Sequence, residues 1–111
     1  APYGNRIHLH IGDAIEFLPQ LLSQHQFDIV YIDANKRQYV EYYNLIIPHL
    51  RSGALIIADN TLWDGKVIEP VKDNDTQTKS ILAFNKLVQD DERVENLILP
   101  MRDGLSLIRV K

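Results

Sequence analysis

Residues 27–59 read FDIVYIDANKRQYVEYYNLIIPHLRSGALIIAD, and this stretch decides the fold. Phe27–Ile32 is a nearly continuous apolar run, interrupted only by Asp28. Runs of that kind are typical of central parallel strands covered on both faces. The run stops at Asp33. A helical spacing follows, with Tyr39, Tyr43, Ile46, Ile47 and Leu50 on one face, and Pro48 and Arg51-Ser52-Gly53 close it. Ala54–Ala58 is a second buried strand, and it stops at Asp59. Two strands joined through one helix are expected to be parallel neighbours.

Working outward, Ile7, Leu9 and Ile11 alternate with His8 and His10, a period-two strand with one wet face. Asp13 suits the N-cap of the next helix, with Glu16 in the capping-box position. Ala14, Phe17, Leu18, Leu21 and Leu22 repeat at helical spacing there, and Pro19 should kink that helix or remove one of its hydrogen bonds. Downstream, residues 60–75 form a polar connection and residues 76–90 a helix with Ile81, Phe84, Leu87 and Val88 inward. Residues 94–99 and 105–110 are strands joined by a turn over 100–104. The order β-α-β-α-β-loop-α-β-β specifies an α/β fold, with a mostly parallel sheet ending in an antiparallel hairpin.

Composition narrows the function. The chain has 111 residues, 45% of them hydrophobic, and a formal net charge of −3. That balance suits a globular domain and argues against disorder. The absence of cysteine excludes disulfides, thiolate metal sites and cysteine nucleophiles. No basic face suggests nucleic acid, and no apolar run is long enough to span a bilayer. A soluble, cytoplasmic protein is the expectation, with no nucleic-acid or membrane partner.

In open α/β sheets, ligands bind beyond the carboxyl ends of the strands. Asp33 and Asp59 both stand there, and neighbouring strands lie about 4.8 Å apart. Two carboxylates that close repel unless a proton or a cation separates them. With the amide oxygen of Asn60, they form an all-oxygen set suited to a hard divalent ion such as Mg²⁺. Either acid also suits the plain role of capping the next helix. Lys36 is a candidate base beside that site, or a solvated lysine next to Arg37. Trp63 is either an aromatic wall for a planar substrate or a residue that packs its loop down. His8 and His10 read as a solvated face.

The stretch FDIVYIDANKRQYVEYYNLIIPHLRSGALIIADNTLWDGKV, residues 27–67, resembles the metal-dependent O-methyltransferases of the caffeoyl-CoA and catechol type. IGDA at 11–14 and LPMRDGLSLIRVK at 99–111 are similar to that family too. The D-x-x-K and D-N pairs carry the likeness, with N-T-L-W directly after. It implies a partial methyltransferase domain over residues 1–111, the C-terminal part of a Rossmann-like class I fold. It also implies transfer of a methyl group from S-adenosylmethionine to a hydroxyl of a vicinal diphenol, a small phenolic substrate, in a homodimer. Under the resemblance, Asp33, Asp59 and Asn60 hold the cation, Mg²⁺, and Lys36 takes the proton. Asp13, Ala14, Asp33 and Asn35 contact the cofactor, although Asn35 stands where plant members carry aspartate. Trp63 and Asp64 meet the substrate.

The family also carries an earlier half with a glycine-rich loop, and the glycines here form no G-x-G. The resemblance thus implies a fragment of a longer protein, inactive alone, with a gap in its sheet between 7–11 and 27–32. The strand at 7–11 would then have to pair with 27–32 or with a second copy. Rival readings are a non-catalytic α/β module that keeps a cation-binding or dimerising surface, and a metal-assisted phosphoryl-transfer enzyme. The latter lacks a phosphate cradle and an obvious nucleophile.

Overall fold

A computed structural model describes residues 2–111. The elements are α1 (Ala14–Gln24), β1 (Ile29–Ile32), α2 (Tyr39–Ile46), β2 (Leu55–Asp59), α3 (Thr76–Asp90), β3 (Val94–Leu99) and β4 (Leu105–Val110). The strands form one sheet in the order β1-β2-β4-β3. β1 and β2 are parallel, and the β2–β4 and β4–β3 ladders are antiparallel. The α/β class and the closing hairpin are as the sequence predicts. The expectation of a mostly parallel sheet is corrected: the sheet is mixed, because the parallel pairing is confined to β1–β2.

Local chemistry explains the boundaries. The Asp13 carboxylate accepts from the Ile15 backbone N–H at 3.0 Å and starts α1. Pro19 lies inside α1, which runs on to Gln24 without the N–H that proline lacks. α2 tightens into a 3₁₀ turn at Ile47–His49, where Pro48 stands in the turn's opening residues. Asp75 starts α3 by accepting from the Thr78 backbone N–H at 3.1 Å.

The core lies between the sheet and the helices. Ile56, Ala58 and Ile108 project from the sheet onto Tyr39, Tyr43, Ile46, Ile81 and Phe84, all of them buried. The side chains of Ile29, Tyr31 and Leu97 are exposed at 63, 56 and 52%. β1 is therefore an edge strand with one bare face, and the expectation that it is covered on both faces is corrected. The face is bare because the helices pack on the other side of the sheet, and the edge is open because no strand pairs with the outer side of β1 among the described residues.

Residues 7–11 are likewise not a strand. Ile7, Leu9 and Ile11 are 68, 82 and 91% exposed, so their alternation finds no sheet to join. An extended segment becomes a strand only when a neighbour takes its backbone hydrogen bonds. His8 and His10 are exposed, as expected, and the His10 ring stacks on Phe17 at 5.6 Å.

A polar cluster fastens α2 to the end of α3. Asp91 accepts from the Tyr43 hydroxyl at 2.6 Å and from Arg93 Nη2 at 2.8 Å, with its side chain 8% exposed. The Arg93 guanidinium holds its carboxyl well below the usual carboxylate range. The folded state thus favours the charged form. Its contribution is full above the unfolded value of about 3.9 and is lost as pH falls below it. Urea midpoints should drop between pH 6 and pH 3, and Asp91→Asn should show a smaller drop. An equal drop in both proteins would remove Asp91 from the account.

Candidate functional site

The β1–β2 register matches Ile32 with Ala58. Continued by one residue, it sets Asp33 beside Asp59 at the carboxyl end of the parallel pair. Alternation along β1 puts Tyr31 on the same face as Asp33. The Tyr31 hydroxyl donates to Asp59 Oδ2 at 2.7 Å, and that bond to a carboxylate raises the phenol's pKa above its ordinary value. The other oxygen of Asp59, Oδ1, accepts from the Asn60 backbone N–H at 2.7 Å.

Lys36 is buried, and it meets the site from the turn before α2. Its Nζ donates to Asp33 Oδ1 at 3.1 Å and to the Tyr39 hydroxyl at 2.7 Å. The Tyr39 oxygen lies 2.9 Å from the Asp59 carbonyl and 3.2 Å from that of Ile32, with one proton to give to either. This buried phenol ties the ends of the two parallel strands together. Burial, followed by the charges of Asp33 and Asp59, raises its pKa and keeps it protonated. The reading of Lys36 as a solvated lysine is therefore corrected: its charge is committed to Asp33, while the Asp33 carboxylate remains 51% exposed.

The next loop is bent into left-handed backbone, with φ of 63° at Asn60, 48° at Trp63 and 55° at Asp64. The turn between β3 and β4 holds it there. Asp103 Oδ2 accepts from Asn60 Nδ2 at 3.1 Å, and the Asp103 carbonyl accepts from the Leu62 N–H at 2.8 Å. Asp103 Oδ1 accepts from the Asp64 N–H as well. Behind the loop, buried Thr61 accepts from Ser106 through its hydroxyl at 2.9 Å and from Asn85 through its carbonyl at 2.9 Å. Trp63 is half-buried and packs against the core with its indole N–H unpartnered. Asp64 is exposed and lines an open cavity of about 600 Å³ with Leu62, Gly65, Ile68, Arg102 and Asp103.

Ala14 and Asp33 meet in a smaller hollow of about 130 Å³, between α1 and the mouth of β1. Asp13 and Asn35 flank it as caps, Asn35 by accepting from the Arg37 N–H at 3.1 Å. Sequence reasoning missed Tyr31, Tyr39 and Asp103. The first two had signals, since Tyr31 is two residues before Asp33 on a strand and Tyr39 is three after Lys36. Asp103 gave only a turn signal.

Among the described residues, no group of three or more His, Cys, Asp or Glu side chains is placed to hold a metal ion. The set at the strand ends is of another kind: two carboxylates and an amide. Asn60 spends its amide N–H₂ on Asp103, and its carbonyl oxygen accepts no hydrogen bond among the described residues. Those donors fit a hard divalent cation. The donors that compete with a cation for these oxygens are the Lys36 ammonium on Asp33 and the Tyr31 hydroxyl and Asn60 backbone N–H on Asp59.

A family model described as O-methyltransferase matches residues 1–111. Caffeoyl-CoA O-methyltransferase 2 of Zea mays is 37% identical over 120 residues, covering 98% of this chain and 45% of the relative. Caffeoyl-CoA O-methyltransferase 1 of Eucalyptus globulus is 34% identical, covering 98% of this chain and 48% of the relative. The solved O-methyltransferase of Bacillus cereus in complex with SAH is similar at a TM-score of 0.82 and 29% identity, over 92% of this chain and 49% of that one. The chain spans about half the length of the curated relatives it matches.

Proposed function

We propose, from the premise that this chain belongs to the O-methyltransferase family, a methyl transfer from S-adenosylmethionine to one hydroxyl of a vicinal diphenol of the catechol or caffeoyl type. A divalent cation, Mg²⁺, assists at Asp33, Asp59 and Asn60. The observation that supports this reading is the parallel register that matches Ile32 with Ala58, the residues directly before Asp33 and Asp59. Bound there, such a cation supplies the charge that lowers the pKa of a ligated hydroxyl.

The protein's own groups supply position and a proton acceptor. Methyl transfer breaks the carbon–sulfur bond of the sulfonium and forms a carbon–oxygen bond, so most of the effect comes from alignment. Ala14 and Asp33 line the hollow we assign to the cofactor, with Asp13 and Asn35 flanking it. Asp64 and the loop carrying Trp63 border the cavity we assign to the acceptor. Lys36 Nζ receives the hydroxyl proton, and Tyr39 and Asp33 fix its place.

These residues include no glycine-rich cradle, so the 111-residue chain alone is expected to turn over no substrate. The test joins it behind the upstream half of the maize relative and supplies S-adenosylmethionine with catechol or a caffeoyl ester. Transfer that stops with EDTA and returns with Mg²⁺ is the expected result. Equal transfer in EDTA would remove the cation, and no transfer to any diphenol would remove the reaction. The Lys36–Asp33 pair favours a second reading, a module in which the ammonium takes the cation's place. Failure of the chain to bind Mn²⁺ would favour it.

A further inference from the structure

We propose that Asp103 is a positioning residue that decides which end of the Asn60 amide is available to a ligand. The inference rests on the cation reading above. Asp103 lies in the β3–β4 turn, where Gly104 N–H closes back on the Met101 carbonyl at 2.9 Å. From there it meets the 60–64 loop three times, at the Asn60 side chain, the Leu62 N–H and the Asp64 N–H. All three donors belong to one short segment in which Asn60, Trp63 and Asp64 hold left-handed backbone.

The chemistry of the pair is one-sided. An ionised carboxylate only accepts, whereas a primary amide presents a donor end and an acceptor end. Asp103 therefore draws the N–H₂ end of Asn60 to itself and leaves the carbonyl oxygen for another partner. A neutral amide at position 103 could satisfy Asn60 in either orientation. Groups that orient a metal ligand from behind typically alter affinity by about 10–100-fold when changed. Asp103 is placed for that role by its hydrogen bond to Asn60, and it is not among the residues that would hold the cation.

The test is Mn²⁺ binding by the 111-residue chain, followed by paramagnetic resonance, with the Asn60 side-chain amide followed by ¹⁵N NMR in the metal-free protein. Asp103→Asn keeps the size and should weaken Mn²⁺ binding by about tenfold or more. It should also shift the Asn60 amide resonances and leave a cooperative melt. Unchanged affinity in a folded Asp103→Asn protein overturns the proposal. If that variant does not fold, the wild type decides: Asn60 amide protons protected from exchange support the clamp, and freely exchanging ones overturn it. Absence of Mn²⁺ binding by the wild type overturns the cation reading and, with it, this use of the clamp.

Discussion

Replacing Phe84 with alanine is expected to remove about 3–5 kcal/mol of stability. Phe84 is fully buried on α3 and meets two phenol rings edge-on, Tyr39 at 5.4 Å and Tyr43 at 6.0 Å. Truncation leaves a void bounded by side chains that cannot close it, because both tyrosines are held at their hydroxyls by Lys36 and Asp91. Aromatic pairs of this geometry add about 0.5–1.5 kcal/mol beyond the area they bury. Domains of this size have roughly 5–15 kcal/mol in total, so the variant should be close to unfolding. Urea denaturation measures this directly, and a loss under about 1 kcal/mol would show that the ring is not central to the core. Because Tyr39 loses its support, the tie between the strand ends should loosen as well.

Gly104→Ala should have an effect of comparable size by another route. Gly104 has a φ of +87°, and an added Cβ would lie 2.6 Å from Leu62 Cγ and 2.7 Å from the Leu62 backbone nitrogen. The conformation costs about 1–3 kcal/mol for a residue with a side chain. Overpacking against backbone costs about 1–3 kcal/mol more. Gly65 is the control: its φ is +73°, but nothing lies within 4 Å of an added Cβ. Gly65→Ala should therefore show the conformational cost alone. Thermal melts give the two losses, and amide exchange in the 60–64 loop shows where they act. Equal losses in the two variants would mean that the approach of the turn to Leu62 carries no energy.

Most of the fold was legible because its periodicities are local. The helix at 76–90 and the strands at 94–99 and 105–110 match the predicted bounds, since each has its own spacing and turn chemistry. Residues 7–11 mislead for a physical reason: alternation records which side chains could face a core, and says nothing of whether an edge is available for the backbone. The apolar run at 27–32 misleads similarly, because its composition suits two covered faces while the helices of this chain cover one. At the candidate site, the acids were visible because each directly follows an apolar strand segment of the parallel pair. Asp103 was not, since its partners lie about forty residues upstream and its Asp-Gly pair reads first as a turn.

The strand order sets a schedule for assembly. β4 lies between β2 and β3, and it is the last element of the sequence. During synthesis, Asp33, Asp59 and Asn60 leave the ribosome well before the segment that fastens their loop. A nascent chain that has reached α3 can pair β1 with β2, yet it has no means of fixing the 60–64 bend until Asp103 emerges. The cation pocket we propose would therefore be completed only once the hairpin has followed the acids out, so its ligands are among the last parts of this fold to be fixed.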